Sequence, residues 1–193
     1  DASKPPGSLD VLALLQLQSM RQAWNEEIST EGLSIEAIWS QNDIAGTFQI
    51  EQKENHNRAR IKSLVNLKKD TIDFRILPSD VVVFDTYWNI NRDNRVRFLK
   101  DKWIIDALEL NNGSQFLSMD GELSDSLLTQ VNFEIVKFDL LNLSTISPRI
   151  FGGVVDANGR ISRSNGAQPL RIESDLSIEA LSFEEILIGN LEG

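Results

Sequence analysis

PRIFGGVVDANGRISRSNGAQPLRIESD, residues 148–175, decides how this chain is to be read. Ile150, Val154 and Ile161 stand among polar residues, Gly152-Gly153 interrupts the first run, and two Asn-Gly pairs follow at 158–159 and 165–166. Asn-Gly between short alternating runs is a strong hairpin signal, because both residues accept the positive φ of a type I′ turn. The stretch is therefore expected to be antiparallel β ribbon, with reversals at both Asn-Gly pairs and a bulge or close strand approach at Gly152-Gly153. Pro169 is expected to open a further extended segment.

Working outward, the same period of two recurs along most of the chain. The run from Leu127 is its clearest case: Leu127, Thr129, Val131, Phe133 and Ile135 alternate with Leu128, Gln130, Asn132, Glu134 and Val136. In WIIDALEL, Ile104, Asp106, Leu108 and Leu110 are expected on one face and Trp103, Ile105, Ala107 and Glu109 on the other. Asn112-Gly113 then turns the chain. LSIEAIWS and IAGTFQI read as a hairpin around Gln41, Asn42 and Asp43, and RARIKSLVNL leads through Lys68, Lys69 and Asp70 into Ile72, Phe74 and Ile76. VVVF, residues 81–84, is too short and uniform to assign a face. Asp139 is expected to cap a short helical turn reaching Ile146.

One segment breaks the period. From Ser8, a plausible N-cap, Leu12, Leu15, the Leu17 to Met20 step, Trp24 and Ile28 recur at mostly three- and four-residue spacing, which predicts one amphipathic helix over residues 8–28. Leu9, Val11, Ala13, Leu15 and Leu17 also alternate as a strand would. The length without Gly or Pro favours the helix. Residues 1–7 are expected to be a flexible lead-in, and 8–193 one β-rich unit of roughly a dozen strands, with both ends reading as cuts in a longer protein. Strands that follow one another without intervening helices imply antiparallel meandering rather than βαβ units.

Composition narrows the function. The formal charge of −10 with no basic block disfavours binding to nucleic acid. There is no Cys and a single His, His56 in a polar loop, so thiolate chemistry, zinc sites and nucleophilic triads lack their parts. Asp156-Ala157-Asn158-Gly159 lacks the spaced oxygen ligands of a calcium loop and is expected to be a tight turn. No cofactor and no catalytic residue is expected; the chain reads as non-enzymatic. What remains is the number of strands that are apolar on one face, forming either a closed core or an open trough. The sequence pattern alone leaves both open. Trp88 and Trp103 offer another alternative, a carbohydrate-binding β-sandwich that stacks sugars on exposed indoles.

Four segments carry a family resemblance: Trp88-Asn89-Ile90, then WIIDALELNNGSQFLSMDGELS, then LLTQVNFEIVKFDLLNL, then residues 148–193. Together they resemble the TamB family of translocation and assembly modules, AsmA-like proteins of the Gram-negative envelope. The counterparts are Asp120-Gly121 as a turn, Asp139-Leu140-Leu141, Gly153-Val154 with Gly159-Arg160-Ile161, and Pro169 onward to Gly189-Asn190-Leu191. The resemblance covers residues 86–193 and excludes the expected helix. It implies a long curved antiparallel sheet with an apolar groove, a β-taco, in the periplasmic part of an inner-membrane-anchored protein. It further implies phospholipid or nascent outer-membrane protein as cargo, and a TamA-like outer-membrane barrel as partner. The groove lining is expected to include Ile104, Leu108, Leu110, Val131, Phe133, Ile135, Ile172 and Ile178.

Overall fold

A computed structural model describes residues 12–23, 29–52, 56–124, 128–147, 149–165 and 167–193. The described strands are all antiparallel and belong to one sheet of 14 strands. In chain order they are β1 (Leu12–Ala23), β2 (Ser29–Ser40), β3 (Asp43–Gln52), β4 (Asn57–Lys68), β5 (Thr71–Ile76), β6 (Asp80–Val83) and β7 (Thr86–Ile90). They continue as β8 (Arg95–Leu99), β9 (Lys102–Asn111), β10 (Phe116–Ser124), β11 (Thr129–Asp139), β12 (Phe151–Arg163), β13 (Arg171–Phe183) and β14 (Ile186–Glu192). A 3-10 segment, Leu140–Thr145, lies between β11 and β12, and the Asp139 side chain caps it by accepting from the Leu141 N–H, as expected.

The expected amphipathic helix is not there. Leu12–Ala23 is a strand, paired with β2 so that Leu15 faces Ala37 and Leu17 faces Ile35. Residues 8–11 and 24–28, with Ser8 and Trp24, lie outside those described, as does the lead-in. The helical spacing was real, but so was the alternation. A neighbouring strand that supplies a full ladder outweighs a helical stripe with nothing to bury it.

The Asn158-Gly159 turn is also corrected, and the tight turn at Asp156–Gly159 with it. All four residues lie inside β12, where Asn158 faces Glu134 and Asp175 and Gly159 faces Phe133 and Ser174. A Cβ at Gly159 would lie 2.8 Å from the Phe133 ring, so this glycine makes room for an aromatic ring rather than for a turn. Asp120-Gly121 likewise sits within β10. Gly152-Gly153 does mark a bulge: the register with β13 shifts between Gly152 and Val154, and Gly153 has φ 121°.

The strand order explains how short strands share a wide sheet. It runs β1-β2-β3-β4-β5-β8-β9-β10-β11-β12-β13-β14, with β6 paired to β4 and β7, and β7 to β9. Between β4 and β9, β5 and β8 therefore fill one half of the strand length and the hairpin β6-β7 fills the other. Asn94 pins the junction. It is 1% exposed, its Oδ1 accepts from the Ile76 N–H at 2.8 Å, and its Nδ2 donates to the Ile76 carbonyl at 2.8 Å and to that of Asn91. A side-chain amide thus supplies one more rung to the β5–β8 ladder.

On one face, Asp73 is buried against Arg95, whose Nε donates to Oδ1 at 2.8 Å, and Arg97 pairs with Asp106 at 2.9 Å. The hydrogen bond from Arg95 holds the Asp73 carboxyl below its ordinary value; the charges of Arg95, Arg75 and Lys68 act the same way and burial opposes them.

Two predictions follow from these contacts. Asn94→Ala leaves the Ile76 N–H and carbonyl unpaired and is expected to cost about 2–4 kcal/mol, read as a lower urea midpoint at unchanged slope. For Asp73, a folded pKa below the unfolded one means stabilisation that is present above about pH 4 and lost as pH falls through the folded pKa. Thermal midpoints of wild type and Asp73→Asn should therefore differ at pH 7 and converge as pH drops below about 4.

Candidate functional site: the apolar face of the sheet

Residues directly opposite each other on antiparallel strands point to the same side, so successive pairings trace rows across the sheet. One row runs Ala13, Trp39, Ile44, Val65, Phe74, Val96, Ile105, Gly121, Val131, Ile161, Ile172. It crosses from β1 to β13 without a polar side chain. A second apolar row, Ile90, Leu110, Leu117, Ile135, Ala157, Leu176, lies beside it from β7 to β13. The other face reads differently: Ser40, Asp43, Asn66, Asp73, Arg97, Ile104, Glu122, Gln130, Ser162, Arg171 form a row in which Ile104 alone is apolar. A depression on that side is lined by Asp120, Asn132, Glu134, Asn158, Arg160, Glu173 and Asp175 among others. The two faces therefore differ in chemistry from β5 to β13, whereas from β1 to β4 the second face also carries an apolar row, Leu14, Ile38, Ala45 and Leu64.

Of the eight residues expected to line a groove, Leu108, Leu110, Val131, Phe133, Ile135, Ile172 and Ile178 lie on the apolar face. Ile104 does not. The pairing of β9 with β10 slips between Met119 and Gly121, with Ala107 at φ 47°, and the extra residue reverses the alternation, so Trp103 and Ile105 join Leu108 and Leu110. Asp106 was the clue in the sequence, since strict alternation would have set a carboxylate among leucines. The expected lining also omitted the contribution of β1 to β5 and β8, among them Ile44, Val65, Phe74 and Val96.

The apolar face is only partly covered. Trp88, Val131, Val155 and Ala157 are its buried residues among those described, whereas Ile172 is 67% and Leu15 59% exposed; Val82, also buried, faces the other side with Arg58 and Tyr87. Trp88 packs its ring 6.2 Å from Phe138, and Trp103 lies 4.8 Å from Phe98 and remains half exposed. The indoles considered for sugar stacking are therefore unlike each other, one buried and one open, and the described strands form one sheet rather than the two layers of a sandwich.

Little else on the surface suggests chemistry. His56 lies exposed 3.4 Å from Asp85. Among the described residues no three His, Cys, Asp or Glu side chains converge on one point, and no helix is long and apolar enough to cross a membrane. Comparison with protein-family models, with curated proteins and with solved structures returned no match.

The parity change in β9 can be checked directly. Both side chains are half-buried and differ in their neighbours, so Ile105→Asp, beside Val96 in the apolar row, should destabilise by at least about 1 kcal/mol more than Ile104→Asp, set between Arg97 and Glu122. Equal losses in urea unfolding would contradict the placement of the two side chains.

Proposed function

We propose that this chain is a non-enzymatic segment of a TamB-like envelope protein, and that its apolar face forms a groove shielding acyl chains on their way between membranes. The uninterrupted row from Ala13 to Ile172 carries this reading. At about 4.8 Å per strand it offers a path of roughly 50 Å along the sheet, perpendicular to the strands. Burying a methylene there is worth about 0.8 kcal/mol, so a chain of many methylenes is held firmly with no directional contact. Such a surface can bind and slide, which transport requires.

Two contacts support a sheet bent toward this face, as a β-taco demands. Trp88 and Phe138 stand on β7 and β11, three strand spacings apart through β9 and β10. Upright side chains on a flat sheet would sit about 14 Å apart at that separation, against 6.2 Å between these rings. Gln52 at the end of β3 donates to the Thr145 carbonyl at 2.9 Å, although six spacings separate β3 from β11, which leads into the 3-10 segment. The bulges at Ala107, Lys137 and Ala180, each with positive φ, supply the local bends.

The resemblance to the TamB family supplies the rest of the proposal: a periplasmic location, an inner-membrane anchor elsewhere in the protein, phospholipid as cargo and a TamA-like barrel as partner. The test is mass spectrometry of lipids that co-purify with the chain from a Gram-negative host. Wild type is expected to retain phospholipid, and Phe133→Glu to lose most of it while keeping the far-ultraviolet β signature. Absence of lipid from both would exclude this cargo and direct attention to nascent outer-membrane strands.

A further inference from the structure

A margin of the apolar face, at the strand ends beside the row from Ala13 to Ile172, holds a recess that the groove reading leaves unassigned. A cavity of about 490 Å³ lies where the ends of β3, β4 and β6 meet Thr145 and Ile146, just past the 3-10 segment. Ile50, Ala59 and Val81, partners in one row of the apolar face, contribute to its wall, together with Val83. Ile146 stands beside them 76% exposed, its backbone N–H bonded to the Leu143 carbonyl.

Polar side chains, Glu51 and Arg58 among them, also border the cavity and bond one another or groups outside it: Arg58 donates to the Tyr87 hydroxyl at 3.0 Å and Glu51 accepts from Gln49 at 3.2 Å. Gln52 donates to the Thr145 carbonyl at 2.9 Å and accepts from Asn57 Nδ2 at 2.8 Å, while Asn57 Oδ1 accepts from the Phe84 N–H at 2.7 Å. Thr30 Oγ1 donates to Gln22 at 3.1 Å. A peptide strand placed here would leave its own N–H and carbonyl groups unpaired against Ile, Ala and Val, and the space exceeds what a single side chain fills. An unbranched hydrocarbon chain meets neither difficulty.

We infer that this cavity is an end subsite for the terminal methylenes of a fatty acyl chain, with the segment 140–146 as the strap that closes it. The inference rests on the groove reading and adds to it. Through Gln52–Thr145 the strap meets β3, and through Gln115, whose Oε1 accepts from the Asp139 N–H and from Asn142 Nδ2 at 3.0 Å each, it meets β10. A chain lying on the face leaves the row at β3 and β4 and places its last methylenes along Ile50, Ala59 and Val81, under Ile146.

The experiment uses the full chain and two probes: cis-parinaric acid, whose fluorescence reports binding, and a long-chain fatty acid bearing a diazirine at its terminal carbon. Wild type is expected to bind the first, and after illumination to carry adducts of the second on residues 81–83 and 145–146. Ile146→Glu, at an exposed position, and Val83→Trp, which fills the space, should each weaken parinaric acid binding at least tenfold with unchanged circular dichroism. If both variants bind like wild type, or adducts fall only on β9 to β13 while Phe133→Glu weakens binding, the end subsite is overturned and the groove stands. If wild type binds neither probe, both are overturned.

Discussion

A sheet of one layer has nothing behind it, and every other feature of this molecule follows from that constraint. Apolar side chains in a sandwich are covered by a second sheet, and those in a barrel by the closed wall. Here, among the described residues, each has only neighbours of the same sheet to cover it. Burial is correspondingly thin: five apolar residues are buried among those described, and rings such as Trp103 stay half exposed beside the one ring they touch. Backbone hydrogen bonding, continuous from β1 to β14, holds the layer together where a packed interior would do so elsewhere.

The same constraint assigns the faces their chemistry. Charged pairs such as Asp73–Arg95 and Arg97–Asp106 tie β5, β8 and β9 together on one side, and the row from Ala13 to Ile172 presents hydrocarbon on the other. The apolar row crosses eleven strands, so this segregation belongs to the sheet and not to one hairpin.

The strands were mostly legible in the sequence, because alternation needs only parity. Hairpins at Gln41-Asn42 and at Lys69-Asp70 and the reversal at Asn112-Gly113 fall where turn residues interrupt the alternation. Three things escaped it. Leu12–Ala23 carries both periods, and the partner that decides between them, β2, is not local information. Gly159 and Gly121 look like turn glycines, yet each sits where a neighbouring strand leaves no space for a Cβ. Bulges without a glycine to mark them are worse, since one inserted residue exchanges the faces of everything beyond it: past Ala107 it is Ile105, and not Ile104, that shares a side with Leu108 and Leu110.

The junction at Asn94 has a consequence for the whole sheet. Between β4 and β9 two short ladders meet end to end across Leu77–Ser79 and Asn91–Asn94, and side chains take over there from the backbone ladder: Asn94 on Ile76, Ser79 accepting from the Lys62 N–H at 2.9 Å, and Asn91 donating to Glu109 at 3.0 Å. The sheet is therefore continuous in width but not uniform in grain, since near its middle its cohesion is written in side chains that substitution can remove, whereas elsewhere it is written in a backbone that substitution cannot reach.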